Sequence, residues 1–466
     1  MKFTTCGLAL VAILAAAASV DAASIEPRLL GRLKYPQPSV DPFYKVPDNI
    51  GTYANGAIIR ERDVTSDLAL GVDSQLFSKV YQLLYRSQTG SNQPDATVTT
   101  VFKPKNPKKG VPQIVAYAAF ADTAAKDCAS SYALIRDSGS QQGAVLVSQA
   151  PYINALLQKG YYVSVPDYQG SQAAFIVGPQ EGRAHLDGLR ALLNHKPTLS
   201  DPTGYQAVIA GYSGGGHAAA WAMQYRKEYA SELNIIGGSY GGIPVNLTAT
   251  LEILNKGLFA GFGPAGLAGA ANAYPEVENY LLQQLKPNGT EAFKFLRSDQ
   301  GCIAGELGYF AFKDYYSYVK KGAAALQDPI PVKYFEINRL GSRGAQDLLG
   351  PEIPVYIYHA RNDEVIPRPP VDDYVKWQCA NGARIEYSLS DLSEHATETL
   401  IGVPGAVDWI NKVFEGRLNQ PKCVQSQHSI LSLTSYGAEP ILGTKAANQL
   451  RALLPTFTLR KLAGLK

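Results

Sequence analysis

The chain has 466 residues, 46% of them hydrophobic and 18% charged. That balance excludes a disordered or low-complexity protein. A net charge of +3 gives no ground for nucleic acid as a partner, and no basic run is interleaved with aromatics. The densest basic patch, "KPKNPKK" from Lys103, reads as a solvated loop held open by its prolines.

At the N-terminus Lys2 precedes the apolar run "CGLALVAILAAAASV" and then small residues. This is the pattern of a secretory signal peptide, residues 1–22, cut after Ala22. The run is too short for a spanning helix, which needs about 20 apolar residues. A soluble, secreted (extracellular) mature chain, residues 23–466, without a stable membrane anchor is expected. A proline-rich lead, "YPQPSVDPFYKVPDN", then wraps the surface.

Short apolar runs follow, predicted as strands: "ATVTTVFKP", "PQIVAYAAF", "YYVSVPD", "YQAVIAGYS", "PVYIYHA" and "ARIEYSLS". Several are almost continuously apolar, as in strands buried on both faces of a parallel sheet. Between them lie helical patterns, among them "SQAPYINALLQKG", "GRAHLDGLRALLNH", "GGHAAAWAMQYRKEYASEL" and "VDDYVKWQCANG". The alternation predicts an α/β fold with a mostly parallel central sheet flanked by helices.

One interval breaks the rhythm. From about 246 to 336 the pattern is mostly helical and opens on the Gly/Ala-rich "GLFAGFGPAGLAGAANA". It reads as a helical cap inserted between two strands of the sheet, the other reading being an independent domain. Its apolar opening would line a binding tunnel, act as a lid, or fill the cap's own core. The tail, about 416–466, reads as flexible or lid-contacting, with basic residues gathered at its end.

The chemistry centres on "VIAGYSGGGHAAAWA". A serine hydroxyl is a poor nucleophile until a histidine takes its proton and a carboxylate orients that histidine. The β-branched run, the G-x-S-x-G turn and the following helix former run are the parts of a strand–turn–helix nucleophile elbow, with Ser213 as nucleophile. In that order the acid comes next and the histidine last, each just beyond a late strand. Asp363 in "PVYIYHARNDEVIP" is the candidate acid, with Glu364 as alternative. His395 in "ARIEYSLSDLSEHAT" is the candidate base. Asp391 and Glu394 solvate that loop, His217 packs beneath the site, and His359 is a satisfied core histidine. Gly214, after the nucleophile, would supply one oxyanion N–H. The second would come from Asp122 or a neighbour in the loop of "PQIVAYAAFADTAAKDC", the other reading being a helix cap by Asp122 or Thr123.

Cys6 leaves with the signal, and Cys128, Cys302, Cys379 and Cys423 remain, an even set suited to an oxidising compartment. Spacing chooses none of their three pairings. No metal-ligand spacing is present, so neither a metal nor another cofactor is expected. Asn246 and Asn288 begin glycosylation sequons.

Together "GYSGGGHAAAWA", "HARNDEVIP" and "SEHAT" resemble the fungal secretory lipase family (Candida antarctica lipase A-like) of the α/β-hydrolase superfamily. "YYVSVPDYQGSQAAFIVGPQEGRAHLDGLRA" agrees, with Gln169 where glutamate is commoner, and so does "AYAAFADTAAKDCASSY". The resemblance runs from near Asp41 to about Glu415. It implies an α/β-hydrolase domain with a helical cap and a triad of Ser213, Asp363 and His395. It also implies Asp122 and Gly214 as oxyanion residues and the disulfides Cys128–Cys302 and Cys379–Cys423. The expected activity is carboxylic ester hydrolysis through an acyl-enzyme, foremost that of a triacylglycerol lipase. Rival readings are an esterase on small acetylated metabolites, an acyltransferase, and a non-catalytic binding protein on the same scaffold. The expected partner is a lipid or other carboxylic ester, with transient contact at a lipid interface and the chain as a monomer.

Overall fold

The predicted strands lie side by side in one ten-stranded sheet. They belong to a computed structural model that describes residues 34–68, 71–391, 393–433 and 437–453. The expected signal peptide and the basic end of the tail lie outside these residues. The strands are β1 (Ile58–Asp63), β2 (Phe77–Gln88), β3 (Pro94–Pro104), β4 (Gln113–Ala118), β5 (Tyr162–Pro166), β6 (Gln206–Tyr212), β7 (Ile235–Gly241), β8 (Pro354–Ala360), β9 (Arg384–Ser390) and β10 (Val424–His428). Their order is β1-β2-β3-β5-β4-β6-β7-β8-β9-β10. The first three strands are antiparallel to their neighbours, and β3 meets β5 antiparallel. From β5 to β10 every pair is parallel. The chain thus has an α/β-hydrolase sheet, mostly parallel and covered by helices.

Every residue of β4, β5 and β8 is buried, which is why their sequences are apolar without alternation. Helices α1 (Gly143–Gln158), α2 (Gly178–Asn194) and α3 (Gly214–Tyr229) cover the faces. Helix α2 carries Leu186, Leu189 and Leu192 inward at helical spacing.

Between β7 and β8 come six helices: α4 (Leu247–Leu254), α5 (Phe262–Ala273), α6 (Pro275–Gln284), α7 (Pro287–Leu296), α8 (Ile303–Phe310) and α9 (Pro329–Ile337). Their buried residues, such as Leu251, Ala268 and Phe293, share one apolar cluster with Ile209, Trp221 and Ile357 of the sheet and its helices. They have no separate core. The late helices are α10 (Arg368–Ala380), α11 (His395–Ile401), α12 (Val403–Phe414) and α13 (Thr444–Leu453).

The described part of the tail, expected as flexible or lid-contacting, packs on the main body. Its β10 extends the sheet parallel to β9, and Ala446, Ala447 and Leu450 of α13 are buried in the same cluster as Ile153 and Leu157 of α1. Polar β10, "VQSQH", has no apolar period to mark it as a strand because it is an edge. The lead is tied down as well. Asp41 pairs with Arg62 of β1 at 2.7 Å, and that guanidinium lies 4.0 Å from the Phe43 ring centre. Cys128 is joined to Cys302 and Cys379 to Cys423. The first bond links the loop after β4 to α8, and the second links α10 to the start of β10. In the chain-entropy picture bridges of these spans contribute about 4–5 kcal/mol each.

Candidate active site

Ser213 stands between β6 and α3 with φ 55° and ψ −125°, a left-handed conformation that a non-glycine residue holds only when its surroundings enforce it. Its N–H donates to Gly241 O of β7 at 3.0 Å. The glycines around it allow the close approach of three elements. A Cβ on Gly215 would stand 1.9 Å from Ala118 O, and one on Gly216 would stand 2.4 Å from Gly241 O. Gly216 therefore lets α3 start directly against β7.

The structure brings Ser213, His395 and Asp363 into one hydrogen-bonded line. Ser213 Oγ lies 2.8 Å from His395 Nε2, and His395 Nδ1 lies 2.8 Å from Asp363 Oδ2. Asp363 follows β8 in a turn, where its Oδ1 also accepts from the N–H groups of Val365 and Ile366. His395 is the first residue of α11, not a loop residue as expected. The Tyr212 hydroxyl, at the end of β6, donates to His395 O at 2.7 Å. Glu364 is turned differently from its neighbour: its Oε2 accepts from the His395 backbone N–H at 2.9 Å and does not meet the ring.

Burial by itself would lower the His395 pKa, but the charge and hydrogen bond of Asp363 outweigh it, and the ring is raised above its ordinary value. Burial would raise Asp363. The His395 and His359 rings and the accepted hydrogen bonds overcome that, and the carboxyl is held below its ordinary value.

Opposite His395 lies the loop after β4. Asp122 has φ 47°, a second left-handed non-glycine residue beside Ser213. Its Oδ1 lies 1.8 Å from where a Gly214 Cβ would be, so a side chain at 214 would displace the Asp122 carboxyl. Burial, reinforced by Glu181, pushes the Asp122 carboxyl up to about 7 against the opposing His395 ring, Tyr168 hydroxyl and Gly214 N–H. The loop is pinned by Thr123 and by two glutamines that the sequence did not single out. Gln149 accepts from Phe120 N–H and donates to Phe120 O, Gln142 donates to Ala121 O, and the Thr123 hydroxyl donates to Gly301 O beside α8. Glutamines on a half-apolar helix read as solvent-facing, and only the fold turns them inward.

Of the remaining histidines only His359 comes near the Ser213–His395–Asp363 line. His217 Nδ1 lies 2.7 Å from Glu181 Oε2, and its Nε2 accepts from Trp221 Nε1 at 3.0 Å, a buried chain beneath the elbow. His185 meets Ala116 O at 3.0 Å, and burial lowers it to about 4. His195 pairs with Thr198 on the far side of α2. His359 departs from the satisfied core residue expected. It is fully buried, neither ring nitrogen makes a hydrogen bond, and Nε2 stands 3.6 Å from Asp363. His428 of β10 bonds Glu398 of α11 and Ser388. Asp391 pairs with Arg361, and Glu394 accepts from Thr397. Of the two sequon residues, Asn288 is exposed, whereas half-buried Asn246 caps α4 by accepting from Ala249 N–H.

Above Ser213 a small cavity of about 40 Å³ is walled by Phe175, Ile176, Leu251, Phe262, Val365 and Ile366, among others. Phe262, Gly263 and Gly266, from the apolar segment at the start of the helical insertion, face it directly. The arrangement joins a hydrogen-bonded nucleophile, a strained backbone pair at Asp122 and Ser213, and an apolar slot closed by α4 and α5.

A profile described as secretory lipase matches residues 139–421. The chain is 36% identical over 440 residues to lipase A of Moesziomyces aphidis, covering 94% of each chain. It is 35% identical over 397 residues to a secreted triacylglycerol lipase of Malassezia restricta, covering 84% of this chain and 82% of that one. Candida antarctica lipase A in its closed state superposes with a TM-score of 0.82 at 34% identity, covering 90% of this chain and 96% of that one.

Proposed function

The chain belongs to the secretory lipase family and is an ester hydrolase, and from that premise we propose that it is a secreted triacylglycerol lipase working through Ser213, His395, Asp363 and an acyl-enzyme. The Ser213–His395–Asp363 hydrogen-bonded line, opening on an apolar slot, is the observation that carries the reading.

Ser213 Oγ attacks the ester carbonyl while His395 Nε2 takes its proton. Asp363 holds the ring with Nδ1–H toward itself and stabilises the imidazolium. The oxyanion is received by the backbone N–H groups of Gly214 and Asp122, where removal of one such donor costs about a hundredfold or more in rate. His395 returns the proton to the leaving alcohol. Water, activated by the same ring, then releases the acid. The acyl chain lies in the slot between Phe262, Leu251 and Ile366. That slot is narrow, so a long chain enters only when α4 and α5 move. Ile253, Leu282, Phe312, Val332 and Ile337 are large apolar residues exposed on the insertion, and they fit a transient contact with a lipid surface.

A p-nitrophenyl ester series from acetate to palmitate, with an emulsion of long-chain triglyceride, tests this. Hydrolysis should extend to long acyl chains, rise at the emulsion surface and fall by about ten-thousandfold or more in Ser213→Ala. Full activity in that variant would sink the mechanism. The closed slot also favours a narrower esterase on small acyl groups, and activity confined to acetate would select it.

A further inference from the structure

The helical insertion carries an open hollow of about 570 Å³ on its surface, apart from the slot over Ser213. Lys256, Lys286, Lys320 and Lys321 line it, and Asp314 is the one carboxylate among its walls. Asp314 is taken by Lys256 at 3.0 Å, and Asp328 by Lys321. The other two lysines are not neutralised. Lys286 Nζ donates to Ser317 O at 2.9 Å, and Lys320 Nζ donates to Gln283 O at 2.6 Å. Lys313, whose carbonyl accepts from Lys256 N–H at 3.2 Å, holds its ammonium 4.3 Å from the Tyr309 ring centre. Among the described residues none of these three pairs with a carboxylate. Exposed Glu252 of α4, whose charge reaches Tyr316 of the hollow, is the opposing group.

Apolar side chains border the same lysines. Phe312 is 52% exposed, Leu282 51% and Ile253 41%. Leu282 precedes Gln283, the acceptor of Lys320, and Phe312 N–H donates to Gly257 O at 2.8 Å. Lys256 and Phe312 are left-handed, with φ 63° and 61°, a conformation that such residues keep only when their surroundings enforce it. Both are exposed on adjoining backbones. Leu251 and Leu254 of α4 line the slot over Ser213, while Ile253 of the same helix faces out. The lysine-bearing surface is therefore the outer side of the elements that close the slot.

We propose that this face docks on a lipid surface made anionic by fatty-acid carboxylates. The proposal rests on the reading of the insertion as the part that meets a lipid surface, and adds the charge that surface carries. A neutral oil would cover Phe312, Leu282 and Ile253 and leave the three lysines without counter-charge. A soluble polyanion would answer the lysines and leave the apolar residues in water. Ester hydrolysis supplies the surface that answers both. Each turnover with water yields one carboxylate, one proton and one alcohol, and a long-chain carboxylate stays at the oil boundary. The substrate surface gains negative charge as it is consumed, and adsorption strengthens with turnover.

The test is adsorption of the full secreted chain carrying Ser213→Ala, which leaves the surface unaltered. The probe is a triolein emulsion coated with phosphatidylcholine, with or without added oleate. Oleate should strengthen adsorption, and added salt should reverse the gain. Lys286→Gln, Lys313→Gln and Lys320→Gln should each remove about fivefold of that gain, with adsorption to the oleate-free emulsion unchanged. With Ser213 in place, the same three substitutions should leave the melting temperature and p-nitrophenyl butyrate hydrolysis at wild-type values. Equal adsorption with and without oleate would overturn the proposal alone, whereas adsorption to neither emulsion would sink the lipid-surface reading with it. Tighter adsorption to phosphatidylglycerol than to oleate at equal surface charge would make the occupant a phospholipid membrane and overturn the proposal.

Discussion

On one flank of Ser213 stands Asp363, buried and ionised; on the other stand Asp122 and Glu306, buried to the same depth and pushed toward the neutral form. Burial acts alike on both flanks, raising every carboxyl it encloses. Partners make the difference. Asp363 receives a histidine N–H and two backbone N–H groups. Glu306 of α8 receives nothing on either oxygen, and the nearby Asp122 carboxyl adds to its upward shift. Charge is thus concentrated where a base must be oriented and suppressed where an oxyanion would form. In the proposed mechanism an ionised Asp122 would hold the Gly214 N–H and repel the developing charge more strongly than a neutral one.

The largest expected effect comes from breaking the ionised flank. Asp363→Asn should cut kcat by about a thousandfold to ten-thousandfold, because the amide stabilises the wrong His395 tautomer. It should also move the acidic limb of the pH profile downward, since Asp363 is what raises His395. A limb that stays in place while kcat falls would show that another group sets it, with Glu364 the first candidate.

A smaller effect follows on the neutral flank. Asp122 is pushed up to about 7, so wild-type activity should fall as pH rises through that value. Asp122→Asn, whose side chain tolerates the left-handed backbone, should flatten this alkaline limb. The ratio of kcat/KM at pH 8.5 to that at pH 6.5 should rise over wild type by up to about twenty-fivefold. An unchanged ratio would break the proposed link between Asp122 ionisation and turnover.

The smallest effect concerns stability. The folded pKa of Glu306 lies well above its ordinary 4.5, so folding takes up a proton above that ordinary value and stability declines as pH rises. Glu306→Gln does not titrate. Its melting temperature should therefore exceed that of wild type by about 2 °C or more at neutral pH, with the gap closing near pH 4. A gap that widens toward acid would reverse the assignment of Glu306 as a neutral buried acid.

Much of the molecule was legible along the chain. Ser213 could be recognised because its signals are local: a β-branched run, a glycine turn and a helix former run within fifteen residues or so. The alternation of apolar strands and amphipathic helices announced a parallel sheet. Strand β7, "IIGGSYG", did not announce itself, because glycines dilute its apolar pattern, although its backbone carbonyl at Gly241 supports Ser213. The antiparallel β1 and β2 were missed because neither keeps a period of two: β1 is mostly charged and half-buried, and β2 mixes polar residues into a run buried on both faces.

The amino-acid sequence by itself determined the candidate nucleophile, the order in which acid and histidine follow it, and the cysteines available to pair. These depend on neighbours in the chain or on residue type. Only the tertiary structure decided that Asp363 meets the His395 ring while Glu364 meets its backbone, for two adjacent residues leave a turn in different directions. Only it decided that Glu306, one acid on an ordinary-looking helix, is sealed without a partner near Asp122. Burial is a property of what packs across from a residue, and that partner lies far away in the chain.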